Sequence, residues 1–227
     1  MCLLKQISQK KKNEHKMIHV AILLDKENDW LKKHLLNFNL KNKKYIFKFF
    51  YNYKKIQSYD IVFVLGYTKI LPKKFIKCNK NILLVHESDL PKGKGFAPIQ
   101  WQIIEGKKEI TCSLIDLSEE LDSGDIHRKI KFKLDGSELY NEIRIKQAKA
   151  TLKLINEFLK SYPKINKTKQ KGISTFFRRR KLTDGKLNIN KSIKDQFNLL
   201  RVGNNEKWPS YFIKNKIKYI IKIYKEN

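Results

Sequence analysis

Short apolar runs alternate with polar connecting segments along the first part of the chain. The run 18–24 (IHVAILL) is apolar at nearly every position and ends at Asp25. Strands that are buried on both faces, as in a parallel sheet, have such continuous runs rather than an alternating pattern. The same kind of run recurs three times and predicts further strands at 45–51, 60–65 and 81–85.

The segments between these runs are typical of helices and short connectors. A helix is predicted to begin at Asn28 or Asp29, either of which can cap its first turn. Its apolar side consists of Trp30, Leu31, Leu35 and Phe38. Strands that alternate with helices predict an α/β fold with an open, mostly parallel sheet and helices on both faces. Ligands of such sheets bind at the carboxyl ends of strands, where His86 follows 81–85.

The second half predicts two more strands and a long helix. The strands are expected at 110–117 and 127–134, joined by the loop 118–125 (SEELDSGD). The helix is expected over 137–161, and Pro163 ends it. Its predicted buried stripe consists of Leu139, Ile143, Leu152, Ile155 and Leu159.

Composition shifts divide the chain into four predicted parts. A basic lead covers 1–16, and the main domain covers 17–163. A basic linker follows at 164–181, and a small C-terminal appendage covers 182–227. The appendage is expected to contain a helix near 191–201 and a strand at 216–223.

The chain is strongly basic, with 50 Lys and Arg against 22 Asp and Glu and a net charge of +28. Lysine is abundant throughout, which indicates a bias of the whole chain, whereas a nucleic-acid surface concentrates its charge. Two segments do concentrate it, 10–16 and 164–181, and the second includes Arg178, Arg179 and Arg180. A solvated basic surface and a nucleic-acid site both remain open.

Several classes of site and location are disfavoured. Cys2, Cys78 and Cys112 are far apart, and neither they nor the histidines have metal-ligand spacing, so no metal is expected. Neither GxGxxG nor a Walker loop occurs. No apolar run reaches the roughly 18–20 residues of a membrane span, and the first residues lack the pattern of a signal peptide. A cytoplasmic protein is therefore predicted.

Four motifs occur in a fixed order between about residues 60 and 130. They are GYTKILPKK at 66–74, LVHESDLPKGKGFAPIQW at 84–101, IEGKKE at 104–109 and LDSGD at 121–125. This ordered set resembles the formyltransferases that use 10-formyltetrahydrofolate, which include methionyl-tRNA, glycinamide ribonucleotide and sugar N-formyltransferases. The resemblance implies an α/β domain with 10-formyltetrahydrofolate as co-substrate and without a metal.

The resemblance implies that His86 and Asp122 are the catalytic residues. Formyl transfer needs an amine to attack a formamide carbon, and a proton must pass from the amine to the departing nitrogen. An imidazole can carry that proton near neutral pH, and a neighbouring carboxylate can orient the ring and stabilise its charged form.

The resemblance also implies which residues surround the folate. The residues expected to border it are Tyr67, Ile70, Leu71, Ser88, Asp89, Leu90 and Pro91. The residues expected to shape the site are Lys94, Gly95, Pro98 and Gly124. Lys94 stands where the family usually has arginine, which keeps the charge but loses the planar fork.

Trp101, at the start of a predicted helix, is expected in the core.

The chain departs from the family motif at Leu84. The family's Asn-x-His, whose asparagine donates to the formyl oxygen, is Leu84-Val85-His86 here. Asn81 is out of register and is expected to point elsewhere. A backbone amide, Gln100 or Gln102 is a candidate replacement.

Three functions remain open. Formylation of a nucleotide-linked amino sugar is the leading hypothesis, supported by the tail motif at 184–202 and the turn at Trp208-Pro209, which resemble sugar and tRNA enzymes. Methionyl-tRNA formylation is the alternative, supported by the charge and by GFAPIQ at 95–100. A non-catalytic folate- or sugar-binding protein is the third hypothesis, and Leu84 motivates it.

Overall fold

The computed structural model describes residues 17–37 and 44–226 of the 227-residue chain. The predicted basic lead at 1–16 and Phe38 therefore lie outside the described residues. Within the described part, the strands and helices fall close to their predicted positions.

Strands form where the apolar runs predict them, with short additions. They are β1 (Ile18–Leu23), β2 (Tyr45–Phe50), β3 (Ile61–Val64), β4 (Ile82–His86), β5 (Lys94–Gly95), β6 (Glu109–Asp116), β7 (Ile126–Lys133), β8 (Phe176–Phe177), β9 (Ser210–Lys214) and β10 (Ile217–Ile221). The sequence did not predict β5, β8 or β9. The strands β5 and β8 are only two residues long and pair with each other across about 80 residues, whereas β9 forms a hairpin with the predicted strand β10.

The helices are α1 (Asp29–Asn37), α2 (Lys73–Cys78), α3 (Pro98–Ile104), α4 (Tyr140–Ser161) and α5 (Ile193–Arg201). One sheet contains six strands in the order β2-β1-β3-β4-β6-β7. The predicted α/β class with a mostly parallel sheet is confirmed, and β7 runs antiparallel to β6.

The described chain divides into two compact units, one ending at Leu83 and the other beginning at Leu84. In the first unit, β1 lies between β2 and β3 and is parallel to both. Burial of β1 residues 20–23 and of every residue of β3 explains their continuous apolar runs. Leu31 and Leu35, one turn apart on α1, are buried in the same unit.

In the second unit, β6 and β7 form an antiparallel pair whose register shifts between Leu114 and Ile115. A buried cluster contains residues from α3, β6, α4 and the end of α5. Its members are Ile99, Ile103, Ile110, Leu134, Ile143 and Val202. The predicted domain limits at 163 and 181 stay a prediction, although β8 within 164–181 pairs with β5.

The buried face of α4 differs from the predicted stripe. Ile143, Ile155 and Leu159 are buried as predicted, whereas Leu139 and Leu152 are only partly buried. Leu152 follows Ile143 by nine residues, which is about 180° around a helix of 3.6 residues per turn. The inner positions belong instead to Ala148, Leu154 and Phe158.

A buried ion pair joins the C-terminal helix to the start of α4. Arg201 Nη1 lies 3.6 Å from Glu138 Oε2, and the two side chains are 2% and 4% exposed. Arg201 also donates to Asn198 and to the Glu138 carbonyl. Glu138 accepts from the backbone N–H groups of Asp135 and Gly136 and from Lys146. Within the described residues, no helix is both long and apolar enough to span a membrane.

Substituting Glu138 with alanine should destabilise the protein by about 3–5 kcal/mol, because it leaves the buried Arg201 charge without its partner. Urea unfolding measures this loss. The matched control is Glu206→Ala, which removes an exposed pair with Lys222 and should cost about 0–1 kcal/mol. Similar losses in both variants would contradict the prediction.

The same pair predicts a pH dependence. Burial raises the pKa of Glu138, but Lys146 and backbone N–H groups outweigh it and lower that pKa below the ordinary glutamate value. A lowered folded-state pKa stabilises the protein above the unfolded-state pKa, and this contribution is lost as the pH falls. The stability difference between wild type and Glu138→Ala should therefore shrink below about pH 4.3.

Candidate active site

His86 is the last residue of β4, and its ring is held on both sides. Its Nε2 lies 2.7 Å from the Gly93 carbonyl, and its Nδ1 lies 3.5 Å from Asp122 Oδ2. A carbonyl oxygen only accepts, so Nε2 carries the proton. In the neutral ring the lone pair is then on Nδ1, which faces the Asp122 carboxylate. His86 is 5% exposed and Asp122 is 7% exposed.

Asp122 lies in the loop between β6 and β7, and the backbone of the β5 segment orients its carboxylate. Oδ2 accepts from the Gly95 N–H at 2.8 Å. The backbone of Asp122 has φ +49°, in the left-handed region that a non-glycine residue adopts at a cost of about 1–3 kcal/mol. The structure therefore brings together the two residues predicted to be catalytic, from positions 36 residues apart.

Lys94 supports the Asp122 loop and does not pair with its carboxylate. Lys94 is buried and donates through Nζ to Ser123 Oγ at 2.6 Å. Ser123 Oγ in turn donates to the Leu121 carbonyl. The ammonium group of a lysine is sufficient for this single hydrogen bond, which does not need the two parallel N–H donors of an arginine guanidinium.

Two of the predicted shaping residues must be glycine for steric reasons. A Cβ at Gly95 would lie 2.3 Å from the Phe177 carbonyl, and a Cβ at Gly124 would lie 1.8 Å from the Asp116 carbonyl. Pro98 is buried at the start of α3, directly after Ala97 in the left-handed region. These close approaches hold the loops of β5 and Asp122 against their neighbours.

The loop 88–91, predicted to border the folate, is anchored by Lys129. Lys129 Nζ donates to Asp89 Oδ1 at 2.6 Å and to the Leu90 carbonyl at 2.7 Å. Leu90 is buried, and the peptide bond from Leu90 to Pro91 is cis. Ser88 is 1% exposed, and its Oγ has no hydrogen-bond partner among the described residues.

The other residues predicted to border the folate belong to the first unit. Burial raises the pKa of the Tyr67 hydroxyl. Ile70 is 96% exposed and Leu71 is buried. Their segment is anchored by Thr68, whose N–H and hydroxyl both donate to Asp25 Oδ2. The role of Tyr67, Ile70 and Leu71 stays a prediction.

Leu84 is partly buried and shares a strand face with His86, because side chains two residues apart point the same way. The suggested replacement donors are engaged elsewhere. Gln102 Nε2 donates to the carbonyls of Glu87 and Pro98. In the amide orientation that satisfies both of its polar atoms, Gln100 donates to the Ala97 carbonyl and accepts from Arg144.

Asn81 and the nearby backbone amides are engaged as well. Asn81 donates to the Asp60 carbonyl, at the other end of β4 from His86. The N–H groups of residues 93, 94, 95 and 96 donate to Thr175 Oγ1, the Thr175 carbonyl, Asp122 Oδ2 and the Phe177 carbonyl. The backbone N–H groups of residues 93–96 therefore already have hydrogen-bond acceptors within the protein.

The expectation of a core position for Trp101 is wrong. Its ring is partly exposed and is flanked by the guanidinium groups of Arg178 and Arg180, at 4.8 and 5.8 Å from the ring centroid. Its Nε1 donates to the Arg178 carbonyl. Apolar periodicity misplaced it because an indole also binds cations well.

The run 178–180 follows β8 directly, and its three arginines form contacts although Arg178 and Arg179 are exposed. Arg178 forms two hydrogen bonds with Asp184, which lower the pKa of that carboxyl to about 2. Arg179 lies over the Phe96 ring at 4.2 Å. Burial lowers the pKa of Arg180, whose Nε has no partner among the described residues.

A second His–Asp pair lies at the base of the Asp122 loop. His127 Nε2 is 2.7 Å from Asp116 Oδ1, and Lys167 Nζ is 2.6 Å from Asp116 Oδ2. Burial raises the pKa of Asp116, but these two hydrogen bonds outweigh it and lower the pKa below the ordinary value. This pair ties the ends of the sheet strands to the segment after α4.

Sequence reasoning missed two residues that contact the predicted catalytic loops, Gln170 and Thr175. Gln170 Nε2 donates to the carbonyls of Asp122 and Gly124, and Thr175 Oγ1 accepts from Gly93. Both residues belong to the predicted linker, where a lone polar residue among lysines gives no local signal. Among the described residues, no group of three or more His, Cys, Asp and Glu side chains is arranged to hold a metal.

Comparison with known proteins adds a family model and several relatives. The model described as formyl transferase matches residues 2–157. The chain is similar to a methionyl-tRNA formyltransferase of Thermodesulfovibrio yellowstonii, with 34% identity over 176 residues, 74% of this chain and 56% of that protein. The chain spans about half the length of the curated relatives it matches.

Solved structures share the fold. A methionyl-tRNA formyltransferase from Clostridium thermocellum has a TM-score of 0.80 at 22% identity, covering 93% of this chain and 94% of that one. A sugar N-formyltransferase from Shewanella has a TM-score of 0.69 at 17% identity, covering 93% and 99%. HypX from Aquifex aeolicus in complex with tetrahydrofolic acid has a TM-score of 0.73 at 13% identity, covering 89% and 37%.

Substituting Gly124 with alanine should destabilise the protein by about 3 kcal/mol or more, because the new Cβ would overlap the Asp116 carbonyl and backbone cannot move aside cheaply. Chemical unfolding measures the loss. Gly106→Ala is the matched control, since nothing lies within 4 Å of its Cβ and only its positive φ should cost about 1 kcal/mol. Equal losses would show that the close approach at Gly124 does not matter.

Proposed function

We propose that this chain, which belongs to the formyl transferase family, transfers the formyl group of 10-formyltetrahydrofolate to a primary amine. One observation carries the proposal: a buried imidazole with Nδ1 facing a buried carboxylate, at the carboxyl end of a sheet strand. Ligands of open α/β sheets bind at this edge.

The folate co-substrate supplies the formyl carbon. A bond forms between this carbon and the acceptor nitrogen, and the bond from the carbon to the folate nitrogen breaks. One proton leaves the acceptor amine and one reaches the departing nitrogen, so the exchange is balanced without an outside acid or base. The protein needs to hold one proton between these two events.

His86 Nδ1 is the atom proposed to hold that proton. Nε2 is committed to the Gly93 carbonyl, so proton exchange occurs at Nδ1. The protonated ring then has the Asp122 carboxylate 3.5 Å away, which stabilises the positive charge. General acid–base catalysis of this kind contributes about 10²–10⁴ in rate.

The loop 88–91 is proposed to border the folate. Ser88 Oγ supports this fit, because a buried hydroxyl without a partner is expensive to retain. Lys129 holds Asp89 and Leu90 in place. The similarity in fold to a protein crystallised with tetrahydrofolic acid also supports it. Tyr67, Ile70 and Leu71 are proposed to line the pterin end.

A nucleotide-linked amino sugar is the first candidate acceptor. Arg179 and Arg180 follow β8, which pairs with the β5 residues beside Asp122, and their guanidinium groups lie over the Phe96 and Trp101 rings at 4.2 and 5.8 Å. Guanidinium groups held in this way are suited to phosphate. The fold shared with a sugar N-formyltransferase supports the same acceptor.

Methionyl-tRNA is the second candidate acceptor, supported by the sequence relative of that name. The hairpin of β9 and β10 adds a specific observation. Phe212 and Tyr219 stack on each other, and Lys218 lies 4.1 Å from the Tyr211 ring. Of these rings Tyr219 is exposed, Phe212 is partly exposed and Tyr211 is buried. An exposed aromatic ring among lysines is typical of nucleic-acid surfaces. Both candidates carry phosphate, which matches the basic surroundings.

A non-catalytic binding protein is the third candidate, because Leu84 offers no hydrogen bond to the formyl oxygen. Two broader expectations also stay predictions: a catalytic domain over 17–163 with a basic linker and small C-terminal element, and a cytoplasmic location.

The first test is formyl transfer from 10-formyltetrahydrofolate, read by mass spectrometry on a panel of nucleotide-linked amino sugars and methionyl-tRNA. One acceptor should gain the mass of a formyl group in place of hydrogen. His86→Ala should lower the rate by about 10²–10⁴, because the proton carrier is lost. His34→Ala, on α1, should leave it unchanged.

The panel separates the candidates. If methionyl-tRNA is the acceptor, its binding should weaken steeply as salt rises, because phosphate contacts release counterions. Transfer to a sugar alone would exclude the tRNA role. An equal rate in wild type and His86→Ala would contradict the proposed chemistry.

Restoring asparagine at position 84 should raise the rate by about 10²–10³, because a donor on the His86 face of β4 would again reach the formyl oxygen. The measurement is kcat on the acceptor found in the panel. Leu84→Met, which adds no donor, is the control. If neither wild type nor Leu84→Asn transfers a formyl group to any acceptor, the result supports the non-catalytic hypothesis.

A further inference from the structure

The segment 167–177, called the strap here, contacts the residues on both sides of the Asp122 loop through its first two residues. Lys167 Nζ binds Asp116, the last residue before that loop. The Thr168 backbone exchanges two hydrogen bonds with Ile126, the first residue after it, at 2.7 and 2.9 Å. The strap therefore starts from a fixed position beside the loop.

Gln170 binds the loop itself. Its Nε2 donates to the Asp122 carbonyl at 2.8 Å and to the Gly124 carbonyl at 2.9 Å. Two carbonyl acceptors leave only one orientation for the amide, because the reverse would place Oε1 against both oxygens. Oε1 is buried and has no partner among the described residues. Gln170 thus donates two hydrogen bonds to the Asp122 loop, although its own Oε1 has no hydrogen-bond partner among the described residues.

Thr175 holds the other side of the site. Its Oγ1 accepts from the Gly93 N–H at 2.8 Å, and its carbonyl accepts from the Lys94 N–H at 2.8 Å. The carbonyl of the same Gly93 receives the Nε2 proton of His86. β8 then continues the strap as a parallel partner of β5.

The two groups that orient the His86–Asp122 pair are thus both held by one segment. Gln170 holds the Asp122 main chain. The Thr175 carbonyl holds the Gly93–Lys94 peptide group, whose oxygen faces His86, and Thr175 Oγ1 holds the Gly93 N–H in the peptide just before it. We propose that Gln170 and Thr175 are positioning residues that set the geometry between His86 Nδ1 and the Asp122 carboxylate. This inference rests on the proposed function for its kinetic consequence, and its spectroscopic consequence does not depend on activity.

The spectroscopic test is the ring-nitrogen NMR spectrum of histidine-labelled protein at alkaline pH, with His86→Gln used to assign the His86 signals. In wild type, His86 should be in the tautomer with the proton on Nε2. Thr175→Val leaves the Gly93 N–H without its acceptor, so the tautomers should mix, and Thr175→Ser should restore the wild-type signal. Gln170→Leu should shift the Nδ1 signal, because Asp122 moves. Thr168→Val should change nothing, since Thr168 is held through its backbone.

The kinetic test uses the acceptor found in the panel. Gln170→Leu and Thr175→Val should lower kcat by about 10–100-fold, with KM changed less than about threefold, because a small misplacement of reacting groups is costly. Thermal unfolding should change little in Gln170→Leu, because the substitution also removes the unpaired Oε1. A merely structural strap predicts the reverse: loss of thermal stability with unchanged kcat and unchanged His86 signals.

The outcomes separate this inference from the proposed function. If the wild type formylates no acceptor, the proposed function fails and the His86 signals alone decide the positioning role. If transfer occurs while His86 signals and kcat are the same in wild type, Gln170→Leu and Thr175→Val, the positioning role is excluded and the proposed function stands.

Discussion

His86 donates its Nε2–H to the Gly93 carbonyl, and this bond decides which ring nitrogen carries the proton in the neutral ring. Gly93 has φ +74°, and a Cβ there would lie 2.9 Å from the Phe177 ring and 3.1 Å from Ser88 Cβ. Glycine at position 93 suits this positive φ and these close approaches, and the strap binds the N–H groups of both Gly93 and Lys94 beside the carbonyl that faces His86. The orientation of the His86 ring therefore depends on the loop after β4 and on the pairing of β5 with β8.

The contacts of the Asp122 carboxylate are set by its immediate neighbours, although the whole chain carries a net charge of +28. Lys94 is buried close to Asp122 but donates to Ser123, so the carboxylate keeps its Oδ2 for Gly95 and for the imidazole. Arg178 is paired with Asp184. Among the described residues, the excess of lysine thus leaves the Asp122 carboxylate in contact with the His86 ring and not in an ion pair with a lysine.

The C-terminal part is tied to the same unit by buried charge. Arg201 and Glu138 are almost fully buried, and each forms further hydrogen bonds, Arg201 to Asn198 and Glu138 with the backbone N–H groups of Asp135 and Gly136. A buried pair of this kind adds little net stability compared with apolar residues, but removing one partner is costly. The tail helix is therefore tied to the start of α4.

The sequence by itself determined the strand runs, the α/β class and the two residues that meet at the site. Continuous apolar runs encode strands because burial on both faces leaves no polar positions, and the motif order at His86 and Asp122 indicated their proximity. Tertiary structure alone decided that Trp101 lies beside Arg178 and Arg180, and that Gln170 and Thr175 hold the two loops. A glutamine or threonine in a polar run has the same local pattern whether water or a carbonyl faces it. Its partner lies tens of residues away, and only the folded chain brings the two together.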